Sequence, residues 1–201
     1  MSVGLMTALF LGIGLSASCG FRVFVPMLAA SIAGHYNLIP FIGTFDGNFA
    51  WLSTWPAIIA FGTASIAEIL AYYIPLVDNF LDSIASPLAM IAGALLTTSV
   101  IPVDNEVYRW ILGIIVGGGS AGIVQSGTVL TRLFSSKATL TAGNPVVSTT
   151  ENVAAVSGSV LSFIIPIAVG IIFLVLFVVI ISKIIKRRKA IKSVEPEQPD
   201  V

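Results

Sequence analysis

Apolar runs long enough to cross a bilayer dominate this sequence and limit what it can fold into. A helix needs about 20 residues to cross the hydrocarbon core, and the runs at 3–33 and 148–185 exceed that length. Only 10% of the residues are charged and 56% are hydrophobic, whereas a soluble domain carries about 25% charged residues. Charge this sparse cannot cover a soluble surface. We therefore predict an all-α integral membrane protein.

The interruptions of the apolar runs predict five transmembrane helices, or six if the first or last run splits. Gly20, Arg22 and Pro26 interrupt the first run, and the glycines at 117–119 weaken the fourth, so both helices are expected to be broken. Pro166 is expected to kink the last run or divide it. The third run is expected to begin at Pro87, after a polar link. The expected spans are 3–33, 55–74, 87–100, 107–134 and 148–185.

Small residues recur at every fourth position in three of these runs. In lipid, helices associate through close backbone approach at such residues. The stripes predict a compact bundle, or a homo-oligomer in which one stripe faces a neighbouring copy. They consist of Gly4, Ala8, Gly12, Ser16 and Gly20; Gly113, Gly117 and Ala121; and Ala154, Gly158 and Ser162.

A faint similarity between the two halves of the chain suggests a weak internal repeat. Residues 14–17 read GLSA and residues 118–121 read GGSA, and the segments 65–68 (SIAE) and 148–151 (STTE) each lie before a long apolar stretch. Interrupted helices in two corresponding halves are typical of transporters built from structural repeats.

The basic residues predict the orientation of the chain. From Lys183 to the end there are six basic and three acidic residues, against four basic and seven acidic residues before it. Because Lys and Arg near span ends favour the cytoplasmic side, the C-terminus is predicted to be cytoplasmic. The chain is thus divided into a transmembrane domain, 1–185, and a basic, disordered tail, 186–201.

Three ionisable residues lie within or beside apolar runs, where a charge costs at least about 2.5–3.5 kcal/mol. They are Arg22, Glu68 and Glu151. One interpretation pairs Arg22 with Glu68 or Glu151 around a polar substrate site, to which Tyr72 adds its hydroxyl from one turn beyond Glu68. The other interpretation is a set of structural ion pairs. For Glu151 the simpler reading is a carboxylate stabilised near a helix N-terminus.

Asp78 and Asp82 are weaker candidates for a metal site. They are four residues apart and face together if this stretch is helical. The simpler interpretation is a solvated link between helices. His35 is the single histidine of the sequence and is expected to be a surface or interface residue and not a metal ligand. Cys19 is expected to be a packing residue. No nucleotide, zinc or catalytic-serine motif is present, so we predict no cofactor, no nucleic-acid partner and no enzymatic activity.

Several stretches resemble a family of small bacterial inner-membrane proteins, the domain of unknown function 4126. They are residues 14–26 (GLSASCGFRVFVP), the region from Glu68 to Asp82, and the Gly143-Asn144-Pro145 turn with Ser148 and Glu151. The resemblance covers nearly the whole chain before the tail and implies a bacterial inner-membrane location. Tyr72, where the family commonly has an acidic residue, and Asn152 depart from it. Both reduce the acidity near the site and weaken the expectation of cation binding.

Two functional hypotheses follow. The first is a small transporter or channel-like protein for an ion or small solute, with Arg22, Glu68 and Glu151 as its intramembrane site. The second is a non-catalytic structural or assembly protein whose charges brace the helices. A lipid-modifying enzyme using Asp78 and Asp82 is a third, weaker alternative. Beyond the solute, the expected partners are the lipid bilayer and other copies of the chain.

Overall fold

The computed structural model describes residues 3–38, 45, 47–139 and 143–192, and in this part of the chain the regular structure is entirely helical. A 3-10 helix, Gly47–Ser53, precedes the third α-helix, and a π-helical segment, Gly113–Gly118, joins the fifth and sixth. The α-helices are α1 Val3–Cys19, α2 Phe24–His35, α3 Trp55–Ala71, α4 Pro75–Val100, α5 Glu106–Leu112, α6 Gly119–Thr139, α7 Asn144–Ile164 and α8 Pro166–Lys192.

Three helical stretches are long and apolar enough to cross a membrane. They are Phe80–Val100 in α4, Glu106–Ser136 through α5 and α6, and Pro166–Lys186 in α8. The 3-10 helix and α3 make a fourth if they are taken together across their 61° bend, and α1 and α2 are shorter apolar helices. This architecture is compatible with a membrane protein, while the count of five or six spans stays a prediction.

Helix α1 lies at the centre of the bundle and packs antiparallel to α4 and α7. Against α4, the Ser16 hydroxyl oxygen lies 2.9 Å from the Gly93 carbonyl oxygen, and Thr97 donates to the Gly12 carbonyl at 3.2 Å. Against α7, a methyl group at Gly158 would lie 2.6 Å from the Ser18 hydroxyl oxygen. Going along α1 from Gly12 to Ser16, the contacted residue on α4 changes from Thr97 back to Gly93, so the two helices run in opposite directions.

All three stripes of small residues contribute to packing inside the chain. A methyl group at Gly20 would lie 2.6 Å from the Ala121 carbonyl oxygen, and one at Gly93 would lie 2.7 Å from the Gly117 carbonyl oxygen. Ser162 lies opposite Gly14. Backbones this close need residues without bulk, so the stripes are used within the bundle. Cys19 is fully buried in the same core, as expected for a packing residue.

The breaks in the helices agree only partly with the sequence. The first run does break, between Cys19 and Phe24, and the last run divides at Ile165, directly before Pro166. The fourth run is different: it stays continuous through the π-helical segment, because glycines there let the helix widen and approach α4 without a chain break.

Two helices extend beyond the boundaries expected for their runs: α4 begins earlier, and α8 ends later. The third run begins at Pro75 and passes through Pro87, so the stretch that holds Asp82 is helical and not a link. A proline inside a helix costs one backbone hydrogen bond, which packing of neighbouring helices offsets. Helix α8 continues past residue 186 to Lys192, through the basic run. Residues 193–201 lie outside the described part of the chain.

The Gly93–Gly117 approach provides a test of this packing. Gly117→Ala should lower the free energy of unfolding by about 1–3 kcal/mol, because its methyl group meets the Gly93 carbonyl and Thr97. Gly119→Ala, at a position with open space around it, should be neutral or stabilising. Thermal unfolding of both variants in one detergent checks this, and equal melting temperatures would contradict the close approach.

Candidate functional site

Five ionisable side chains meet at one end of the bundle; four come from α3, α4, α6 and α7, and Arg22 comes from the break between α1 and α2. Antiparallel packing places the end of α1 beside the first turns of α7, and the start of α2 beside the end of α3. Helix α6 passes the end of α1 near Ala121, and its later turns reach Glu151. We name this set the charged cluster; its members are Arg22, Glu68, Asp82, Arg132 and Glu151. Arg22, Glu68 and Glu151 were predicted from the sequence to belong together, and the structure brings them there.

Glu151 is the centre of the charged cluster. Its Oε2 accepts from Arg22 Nη1 at 2.9 Å and also from Arg132 Nη2, while its Oε1 accepts from Arg132 Nε at 3.2 Å. Only 4% of the residue is exposed. The reading of Glu151 as a carboxylate near a helix N-terminus is therefore incomplete, because it is a buried anion shared by two cations.

Arg22 is held by contacts on every nitrogen of its guanidinium. Nε donates to Asn152 Oδ1 at 2.6 Å, and Nη2 donates to the Ser148 carbonyl at 3.2 Å. Nη1 donates to the Phe21 carbonyl as well as to Glu151. Because a guanidinium buried to 1% exposure must have its donors satisfied, these contacts explain how the charge is tolerated at the break between α1 and α2.

Tyr72 separates the two guanidiniums. The Arg22 and Arg132 Cζ atoms lie 4.0 and 4.2 Å from the centroid of its ring. Only 3% of the Tyr72 residue is exposed. Tyr72 follows α3 directly and precedes α4. Its ring attracts both cations through its π face, which is not the hydroxyl role that the sequence suggested.

Glu68 binds the backbone at the start of α2. Its Oε1 accepts from the Val23 N–H at 2.8 Å and its Oε2 from the Phe24 N–H at 3.0 Å. These are free N–H groups of a first helical turn, where a negative charge is favoured. Glu68 thus anchors the residue next to Arg22, although the two side chains do not form the direct pair that was one of the two expectations.

Arg132 is the member that the sequence reasoning missed. It lies within α6, close to the end of an apolar run, where a basic residue is easily taken for an interfacial one. The structure buries it to 4% exposure against Glu151, and its Nη2 also approaches the Ser148 hydroxyl at 3.4 Å. The available signal was its position inside the expected span 107–134.

Asp82 forms an ion pair with Arg132. Its Oδ1 lies 3.7 Å from Arg132 Nη1, an ion pair without a hydrogen bond at that nitrogen. The side chain of Asp78 lies outside the described part of the structure. Among the described residues, no three metal-ligating side chains come together.

A groove lies beside the charged cluster, between α6, α7 and α8. Its volume is about 790 Å³, and Glu151 forms part of its wall. Most of the other lining residues are apolar, and two lysines, Lys183 and Lys186, line the α8 side. The groove therefore joins an apolar space to the one carboxylate that holds both arginines.

The central carboxylate gives a stability prediction. Glu151→Gln should lower the free energy of unfolding by about 3–5 kcal/mol, because two buried guanidiniums lose their common anion. Glu106→Gln, which changes an exposed carboxylate bonded to Asn48, should stay within about 0.5 kcal/mol. Chemical unfolding in detergent measures both, and similar losses for the two variants would contradict the central role of Glu151.

The Tyr72 ring gives a second prediction. Tyr72→Phe should keep the melting temperature close to that of the wild type, because the aromatic face remains between the arginines. Tyr72→Leu should lose about 1–2 kcal/mol of stability or more, since an aliphatic side chain has no π face. If the two variants unfold alike, the ring acts by volume alone.

Comparison with known proteins assigns the chain to a family without naming an activity. The family model for the domain of unknown function DUF4126 matches residues 9–186, which includes every member of the charged cluster and the groove. No curated protein matches the chain, and no solved structure matches it.

Proposed function

The chain belongs to the family of the domain of unknown function DUF4126, and we propose that it is a small transporter or channel-like protein for an ion or small solute in the bacterial inner membrane. One observation carries the proposal. Glu151 binds both buried arginines and also lines the groove. Charged groups buried among membrane helices commonly mark ion and substrate pathways.

The charge balance of the cluster favours exchange of a proton or a cation. Two guanidiniums face three carboxylates, so the formal sum is −1 when all five groups are ionised. One further positive charge would neutralise the set. Arg22 balances the carboxylates, and the remaining negative charge is the feature that a transported proton or cation would meet.

Glu68 is the proposed exchanging group. Its carboxylate holds the Val23 and Phe24 N–H groups, and the preceding residue, Arg22, holds Glu151. Protonation of Glu68 removes the charge that these N–H groups favour. The start of α2 then loses its anchor, and the change is passed to Arg22 and so to the wall of the groove.

The orientation follows from the basic run at the end of α8. Lys183 and Lys186 line the groove beside the charged cluster, so the cluster and the end of α8 lie at the same end of the bundle and hence toward the same side of the membrane. Basic residues after a span favour the cytoplasm. We infer that the C-terminus and the charged cluster are cytoplasmic.

Flux through proteoliposomes tests the proposal. Vesicles with an entrapped pH dye, and with a membrane potential generated by valinomycin from an imposed potassium gradient, should show proton flux with the wild-type protein and none above empty vesicles with Glu68→Gln. Glu106→Gln, a carboxylate outside the cluster, should keep wild-type flux. A Glu68→Gln protein that folds normally and still conducts would contradict the role of Glu68. Wild-type vesicles that are as tight as empty ones to protons in this assay, and to sodium and potassium without valinomycin, would contradict transport of these ions.

A structural brace is the second candidate, and a specific observation favours it. Every nitrogen of Arg22 is bonded within the chain. If bracing is the function, Arg22→Ala should lower the detergent melting temperature sharply, and the purified protein should move no solute. An Arg22→Ala protein that is fully stable but inactive in cells would argue against bracing. Self-association through helix faces stays a prediction under either candidate.

A further inference from the structure

We propose that the groove between α6, α7 and α8 binds one anionic phospholipid, with its phosphate at Lys183 and Lys186 and an acyl chain along the apolar lining. The inference requires the membrane location proposed above but does not require transport. It assigns a role to a space that the charged cluster does not fill.

The apolar lining determines the kind of ligand. Val124, Leu130 and Phe134 come from α6, Ala154 from α7 and Leu176 from α8, together with further aliphatic residues of these helices. At about 790 Å³ the groove has the size of sites that hold small molecules. In a bilayer the fluid beside such a surface is hydrocarbon and not water, so an acyl chain is the occupant that leaves the fewest voids.

The two lysines select the headgroup. Lys183 and Lys186 are three residues apart on α8, are exposed, and lie at the end of the apolar stretch Pro166–Lys186. Side chains at this spacing share one face of a helix. Basic groups between membrane helices at the cytoplasmic side favour anionic headgroups.

The acidic residue in the wall does not oppose a phosphate. Glu151 is the single acidic residue among the described lining residues, and its carboxylate is neutralised by Arg22 and Arg132. The lining therefore presents a net positive charge near its α8 side. A zwitterionic headgroup has no net charge and is therefore attracted to the lysines more weakly than an anionic headgroup.

Lipid retention measured by native mass spectrometry tests the headgroup. Purified protein is incubated with equal amounts of phosphatidylglycerol and phosphatidylcholine that carry the same acyl chains. The wild type should retain the anionic lipid preferentially, and Lys183→Gln/Lys186→Gln should lower that preference roughly tenfold. The control variant Lys189→Gln/Lys192→Gln removes the same amount of charge from two later basic residues. It should keep most of the preference for the anionic lipid. Equal retention of both lipids by the wild type would overturn the proposal.

A second variant tests the acyl-chain part. Ala154→Phe places a ring in the groove and should abolish stabilisation by added phosphatidylglycerol in thermal unfolding, whereas Val153→Phe, at an exposed neighbour outside the lining, should not. Inorganic phosphate should give no such stabilisation. Stabilisation by phosphate alone would show a free-anion site, and full lipid stabilisation of Ala154→Phe would show that the chain lies elsewhere; either result overturns the proposal.

Discussion

The bond between Glu151 and two buried arginines is the constraint on which the rest of this end of the bundle depends. A guanidinium taken out of water costs several kcal/mol unless an anion and further acceptors surround it. Arg22, in the break after α1, and Arg132, in α6, are far apart in sequence, and the same carboxylate holds both. The first turns of α7 must therefore lie beside both the break after α1 and the later turns of α6.

Close packing of α1 makes that arrangement possible. Its small residues let α4 and α7 approach it, as the contacts of Ser16 with Gly93 and of Ser18 with Gly158 show. The break after Cys19 then turns the chain so that Arg22 faces α7 and the N–H groups of α2 face Glu68. The buried ion pairs therefore depend on the small residues, because close helix packing sets the distances at which the charged groups meet.

The cluster joins stability to the proposed function. Groups that are fully bonded resist movement, and the proposed exchange of a proton or cation depends on the negative sum of the five charges. The looser contact is the one between Asp82 and Arg132, at 3.7 Å. Under the lipid proposal, the acyl chain lies in the groove beside Glu151, the residue that also binds both arginines.

The sequence by itself determined the all-helical class, the family and the break near Gly20, and it singled out Arg22, Glu68 and Glu151 as residues that meet. Apolar runs and isolated charges are local features with a large energetic cost, so they can be recognised without the fold. Tertiary structure decided the partners. Arg132 and Glu151 are brought together by the packing of consecutive helices α6 and α7, and Arg22 and Glu151 by packing across a separation of 129 residues, and no local pattern shows which charges meet. The role of the Tyr72 ring and the π-helical segment at Gly117 were decided in the same way, since both depend on the exact approach of neighbouring helices.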